Sequence, residues 1–209
     1  MNIPNALTMS RFVFAFLIMV LLMLPFPFMA SLSLFLFILA GISDFFDGYL
    51  ARTVYGTSSF GKLMDPLADK VMVSAVLISF VEIRLDLGQG VNRPLVHALP
   101  VVIIIAREFL VTGLRLLAAG KREVLSAGKW GKHKTVWQIV AIVVILFGLA
   151  FRNDIYPFTN PTKHAMADYD FGFYYVSMAL MIAVSVITVV SGAKYFVEHK
   201  ELIFRSNKK

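Results

Sequence analysis

Residues 43–70 read SDFFDGYLARTVYGTSSFGKLMDPLADK and hold Asp44, Asp47, Asp65 and Asp69, four of the thirteen acidic residues of the chain. The stretch is set in oil: 58% of the 209 residues are apolar and only 16% are charged, too little polarity for an ordinary soluble domain. Apolar runs recur at about 12–30, 31–51, 63–83, 95–118, 135–151 and 171–193, against about 20 residues needed for one helical crossing of a bilayer. They predict an all-α integral membrane protein with six transmembrane helices and one domain over 1–209. The first run has a thin basic flank, Arg11, and no convincing cleavage site, so it reads as a retained helix.

Cations near the run ends set the orientation. With the N-terminus inside, thirteen Lys and Arg residues fall on the cytoplasmic side, from Arg11 to Lys209. Arg84, Arg93, Arg152 and Lys163 fall opposite. Both termini are therefore expected in the cytoplasm. The net charge of +7 follows from this bias and from attraction to anionic lipid headgroups, and no interleaving of aromatic and basic residues argues for nucleic acid. The chain has no cysteine, which excludes disulfides, thiolate metal ligands and thiol nucleophiles. The four histidines, His97, His133, His164 and His199, lack metal-binding spacing.

At about 100° per residue, a helix continuing through Arg52 places Asp44, Asp47, Gly48, Ala51 and Arg52 on one face. Gly61, Asp65 and Asp69 follow i, i+4, i+8 spacing on the next helix, and the intervening TVYGTSSFG suits a reversal that makes the two faces neighbours. Four carboxylates in one small site repel unless cations neutralise them, and hard oxygen ligands point to Mg²⁺, Mn²⁺ or Ca²⁺. Two such ions about 4 Å apart would clamp a diphosphate. Plainer readings stand beside this one: the small residues permit close helix packing, and Asp65 before Pro66 resembles an N-cap. Neither explains why four Asp, two Gly and one Arg share two faces near a membrane, where charge is costly.

The pattern Asp44-x2-Asp47-Gly48-x2-Ala51-Arg52-x8-Gly61-x3-Asp65-x3-Asp69 resembles the signature of the CDP-alcohol phosphotransferase family, with all eight identities present over 26 residues. The resemblance implies a six-helix membrane fold, usually a homodimer, that transfers a phosphatidyl group from a CDP-linked lipid to an alcohol with release of CMP. It also implies Mg²⁺ or Mn²⁺, two ions held by Asp44, Asp47, Asp65 and Asp69, with Asp69 the base for the acceptor hydroxyl. Gly48, Ala51, Arg52 and Gly61 would line the CDP site.

NIPNALTMSR (2–11), AREFLVTGLRLLAAGK (106–121) and SAGKWGKHKTVWQIVAI (126–142) are similar to the bacterial branch of that family that uses sn-glycerol 3-phosphate and CDP-diacylglycerol. That branch works in the cytoplasmic membrane. Branches making phosphatidylinositol phosphate, phosphatidylserine or cardiolipin stay open. A phosphorylated acceptor needs cations near the metal site, and Arg107, Arg115, Lys129, Lys132, His133 and Lys134 are the candidates. Arg107 and Arg115, about 80° apart on a helix, can face one cavity. Each has a plainer reading: Arg107 as an ion pair with Glu108, Arg115 as a snorkelling side chain, the lysines as topological charge and His133 as an interfacial residue. Asn5 and Thr8, in an N-terminal interfacial segment, are candidates for nucleotide contact or simply a helix start.

Two other enzyme and carrier classes use membrane carboxylates. Intramembrane prenyltransferases separate their aspartate motifs and lack the Gly-x-x-Ala-Arg arrangement. A cation transporter would be expected to place its carboxylates near the midplane and to show inverted repeats, whereas these lie at one edge of the runs without a repeat.

Overall fold

The computed structural model describes residues 3–50, 59–88, 90–120 and 129–204, with side chains described at 9–43, 64, 67–88, 90–116, 118 and 131–200. Six long helices carry the fold: α1 (Ile3–Met23), α2 (Met29–Leu50), α3 (Ser59–Glu82), α4 (Ala98–Gly120), α5 (Lys129–Ala150) and α6 (Lys163–Phe204). The contacts between them close a circuit, α1–α3–α4–α6–α5–α2 and back to α1. Inside it lie Ile18, Phe37, Val76, Leu77, Phe80, Ile104, Ile142, Ile145 and Met181, all nearly or fully buried. In a membrane, packing of this kind gains van der Waals contact rather than the hydrophobic transfer energy of a water-soluble core.

The outer surface is apolar as well. Phe16 on α1, Phe35 on α2, Ile78 on α3, Leu99 and Leu110 on α4, Phe147 on α5 and Val186 and Val197 on α6 are all exposed. So continuous an apolar exterior suits acyl chains and is foreign to a soluble monomer. Among the described residues, Gly131–Thr159 and Lys163–Lys200 are long and apolar enough to cross a membrane, and Met9–Met23 and Met29–Ser43 are shorter apolar helices.

Several boundaries differ from the sequence expectation. The first apolar run was expected to continue to about residue 30, but α1 ends at Met23 because Pro25 and Pro27 interrupt the run. At its other end α1 starts at Ile3, with Pro4 tolerated in the first turn, so no break separates an N-terminal interfacial segment from the first helix. Asp65 is not an N-cap: α3 begins at Ser59, which places Asp65 and Pro66 within the helix. The expected reversal TVYGTSSFG (53–61) is already helical from Ser59, and its residues 53–58 lie outside the described residues.

The polar stretch after α3 forms a small antiparallel ribbon, β1 (Arg84–Asp86) paired with β2 (Asn92–Pro94), with Leu85 opposite Arg93. Gly88 and Gly90 turn it with φ of 85° and 78°, values that side chains with a Cβ rarely adopt. Leu85, Leu95 and Val96 are fully buried, so the ribbon closes one end of the bundle. After α5 the chain widens into a π turn, Phe151–Ile155, and then tightens into a 3-10 turn, Tyr156–Thr159. The buried Asp154 accepts hydrogen bonds there from Phe28 N (2.8 Å), Ser31 N (2.8 Å) and Ser31 Oγ (2.5 Å), capping the start of α2 from a remote part of the chain. The last helix has 42 residues rather than the expected run of 171–193, and at 1.5 Å per residue it is about 63 Å long, twice a hydrocarbon core.

Candidate active site

Helices α3, α4 and α5 converge on a charged centre. Glu108, from the middle of α4, accepts hydrogen bonds through Oε1 from Arg107 Nη1 at 3.1 Å and from Lys134 Nζ of α5. Its Oε2 lies 3.8 Å from Lys70 Nζ of α3. Lys134 is 2% exposed, too buried to act as a simple surface charge. Burying these ions is costly, and a single carboxylate shared by three cations offsets the cost only in part.

Two cavities share this cluster. The smaller, about 60 Å³, is lined by Asp69, Lys70 and Ser74 of α3, Ile104 and Glu108 of α4, and Lys134 and Gln138 of α5, among others. The larger, about 330 Å³, is lined by Lys70, Arg107, Glu108, Arg115, Lys132 and Lys134 with Thr112 and Thr135. Lys70, Glu108, Lys134 and Thr135 belong to both walls. Among the described residues, five cations therefore surround the larger cavity against one carboxylate, and a low-dielectric recess with that imbalance favours an anion.

Arg107 and Arg115, expected from their spacing to be able to face one cavity, both line this one, joined by Lys132 and Lys134. The ion pair between Arg107 and Glu108 also forms, so Arg107 both lines the cavity and pairs with its neighbour. His133 is exposed and lines neither cavity, because one residue of helical rotation turns it away from Lys134. Lys129 lies in the first turn of α5, with its side chain outside the described residues.

Of the eight signature positions, the side chain of Asp69 alone is described. The backbone places Asp44, Asp47 and Gly48 near the end of α2, and Gly61 and Asp65 on α3 with Asp69. Ala51 and Arg52 lie outside the described residues, and so do the side chains of Asn5 and Thr8 in the first turns of α1. Among the described residues no group of three His, Asp or Glu side chains is placed to hold a metal ion.

Lys70 and Glu108 were not singled out from the sequence as site residues. Lys70 had a signal: a cation inside an apolar run and next to Asp69 needs a reason to be there. Glu108 was read only as a partner of Arg107, and its role as the hub for Lys70 and Lys134 depends on tertiary contacts that spacing does not carry.

Comparison with known proteins gives the family. The chain is 40% identical over 171 residues to the CDP-diacylglycerol–glycerol-3-phosphate 3-phosphatidyltransferase of Bacillus subtilis (strain 168), covering 81% of this chain and 74% of that protein. It is 33% identical over 155 residues to the protein of the same name from Rickettsia bellii, covering 74% and 80%. A namesake from Mycoplasma pneumoniae is 41% identical over 114 residues, covering 54% and 46%. The sequence model of the CDP-alcohol phosphatidyltransferase family matches residues 1–190, and the chain belongs to that family.

Proposed function

We infer that the protein transfers the phosphatidyl group of CDP-diacylglycerol to sn-glycerol 3-phosphate, releasing CMP and making phosphatidylglycerophosphate. The observation that carries this reading is the shared wall of the two cavities. A phosphate held by Arg107, Arg115, Lys132 and Lys134 would lie in a recess that shares Lys70, Glu108, Lys134 and Thr135 with the one that Asp69 lines. The three-carbon acceptor then spans from a cationic anchor to a carboxylate base. The names of the B. subtilis and R. bellii relatives support the same substrates.

In this reading Arg107 and Arg115 orient the acceptor's phosphate through charge-assisted hydrogen bonds, and Lys132 and Lys134 add point charges. The acceptor's 1-hydroxyl oxygen attacks the β-phosphorus of CDP-diacylglycerol. The bond from that phosphorus to the CMP oxygen breaks, and the hydroxyl proton passes to a carboxylate oxygen of Asp69. Gly48, Ala51, Arg52 and Gly61 are assigned to the CDP moiety, with Asn5 and Thr8 as further nucleotide contacts. Asp44, Asp47, Asp65 and Asp69 are the proposed holders of two Mg²⁺ or Mn²⁺ ions, and an all-carboxylate donor set in a chain without cysteine fits a hard divalent cation. When bound, such ions neutralise the diphosphate and stabilise charge on the phosphoryl oxygens.

The reading extends to a homodimer in the bacterial cytoplasmic membrane. Six crossings, with both termini and the active site on the cytoplasmic face, are supported by the excess of Lys and Arg at those helix ends. The test offers purified protein CDP-diacylglycerol with Mg²⁺ and, separately, sn-glycerol 3-phosphate, inositol phosphate, serine or phosphatidylglycerol. CMP release is expected with sn-glycerol 3-phosphate, lost in EDTA and restored by Mg²⁺ or Mn²⁺. Release with another acceptor instead reassigns the substrate, and full activity in chelator removes the metals.

A further inference from the structure

The two arginines of the larger cavity are held from behind by α6, a helix that contributes none of its described residues to the wall of either cavity. Arg107 Nη2 donates a hydrogen bond to Ser191 Oγ at 2.9 Å. One residue further along, a Cβ built on Gly192 would lie 3.1 Å from Arg107 Cγ and 3.3 Å from Arg107 Nε, so the absence of a side chain there makes room for the arginine stem. Arg115 is held in a different way. Its guanidinium carbon sits 5.2 Å from the ring centroid of Tyr195, within range of a cation–π contact.

Ser191 and Tyr195 are four apart and lie on one face of α6. Both are buried, at 3% and 5% exposure. The Tyr195 hydroxyl finds no hydrogen-bond partner among the described residues, so what Tyr195 offers Arg115 is its ring. An arginine side chain has many rotamers. Without such supports, part of the phosphate's binding energy would be spent ordering the two side chains at the moment of binding.

We propose that Ser191, Gly192 and Tyr195 of α6 are positioning residues that hold Arg107 and Arg115 in place for the acceptor's phosphate and so set the affinity for a phosphorylated alcohol. The proposal rests on the acceptor reading given above. Because Ser191, Gly192 and Tyr195 touch the arginines and line neither cavity, their effect should fall on the acceptor and spare the nucleotide lipid.

The test measures KM for each substrate and kcat for Ser191→Ala, Gly192→Ala, Tyr195→Leu and Tyr195→Phe, with Arg107→Ala and Arg115→Ala alongside. Tyr195→Leu and the Ser191→Ala/Tyr195→Leu pair are expected to raise KM for sn-glycerol 3-phosphate about tenfold, with KM for CDP-diacylglycerol and kcat nearly unchanged. Gly192→Ala should act in the same direction by displacing Arg107. Tyr195→Phe keeps the ring and should restore wild-type kinetics, which also shows that the position tolerates substitution without unfolding.

If the arginine variants raise the acceptor KM and the α6 variants do not, the positioning role is overturned while the acceptor site stands. Parallel losses for both substrates, or a Tyr195→Phe as poor as Tyr195→Leu, would also overturn it. If the arginine variants leave the acceptor KM unchanged, the acceptor reading itself fails, and the positioning role with it.

Discussion

Glu108 is the residue on which the charged centre depends. Its side chain is 15% exposed, and among the described residues it is the carboxylate shown to join Arg107, Lys134 and, at 3.8 Å, Lys70. Removing it leaves buried cations facing one another, and breaking a buried charge pair in this way costs about 3–5 kcal/mol. Glu108→Ala should therefore lower resistance to unfolding by SDS in mixed micelles far more than Arg115→Ala does; equal resistance would contradict the hub role. Asp69 tests the chemistry. As a base it needs only to accept the proton while the oxygen–phosphorus bond forms, a contribution of about 10²–10⁴-fold in rate. Asp69→Asn should lose turnover by at least that factor and keep CDP-diacylglycerol binding in a direct binding assay, and near-normal kcat would remove the assignment. At this scale the sequence was informative where side chains follow helical spacing, as with Arg107 and Arg115. It was silent on Ser191 and Tyr195, whose roles come from the contact of α6 with α4, a relation that no periodicity within α6 records.

At the scale of the element, the join between α1 and α2 shows how a helix end is set from afar. Pro25 and Pro27 stop α1, Phe28 takes a φ of 65°, and Asp154 supplies the acceptor for the first amides of α2. Helix caps are worth about 1 kcal/mol, and a buried carboxylate with three donors lies at the upper end of that range, about 2 kcal/mol. Asp154→Ala should reduce stability by that order in the same SDS titration while the KM values stay unchanged, since Asp154 lines neither cavity. A change in KM for sn-glycerol 3-phosphate without loss of stability would contradict a purely capping role. Six helices were legible as six apolar runs, but their ends were not. An apolar run marks only the part of a helix that meets lipid or core, and α6 continues through polar residues at both ends because each backbone amide still finds its partner within the helix.

At the scale of the whole molecule, orientation in the bilayer and choice of acceptor define how the protein works. The absence of cysteine makes orientation directly measurable, because a single introduced thiol is the only one present. Arg93→Cys, in β2, should react with a membrane-impermeant maleimide added outside intact spheroplasts, and Lys200→Cys, near the end of α6, only after permeabilisation. The reverse pattern would invert the proposed topology. The acceptor claim is that a phosphate, not merely a hydroxyl, is what the cationic cavity takes, and the measurement that tests it most directly is CMP release from CDP-diacylglycerol with sn-glycerol 3-phosphate or with glycerol, at equal concentration and saturating Mg²⁺. The two acceptors share the attacking hydroxyl and differ in the phosphate. CMP should appear with sn-glycerol 3-phosphate and stay at background with glycerol. Equal rates with the two acceptors would contradict the account.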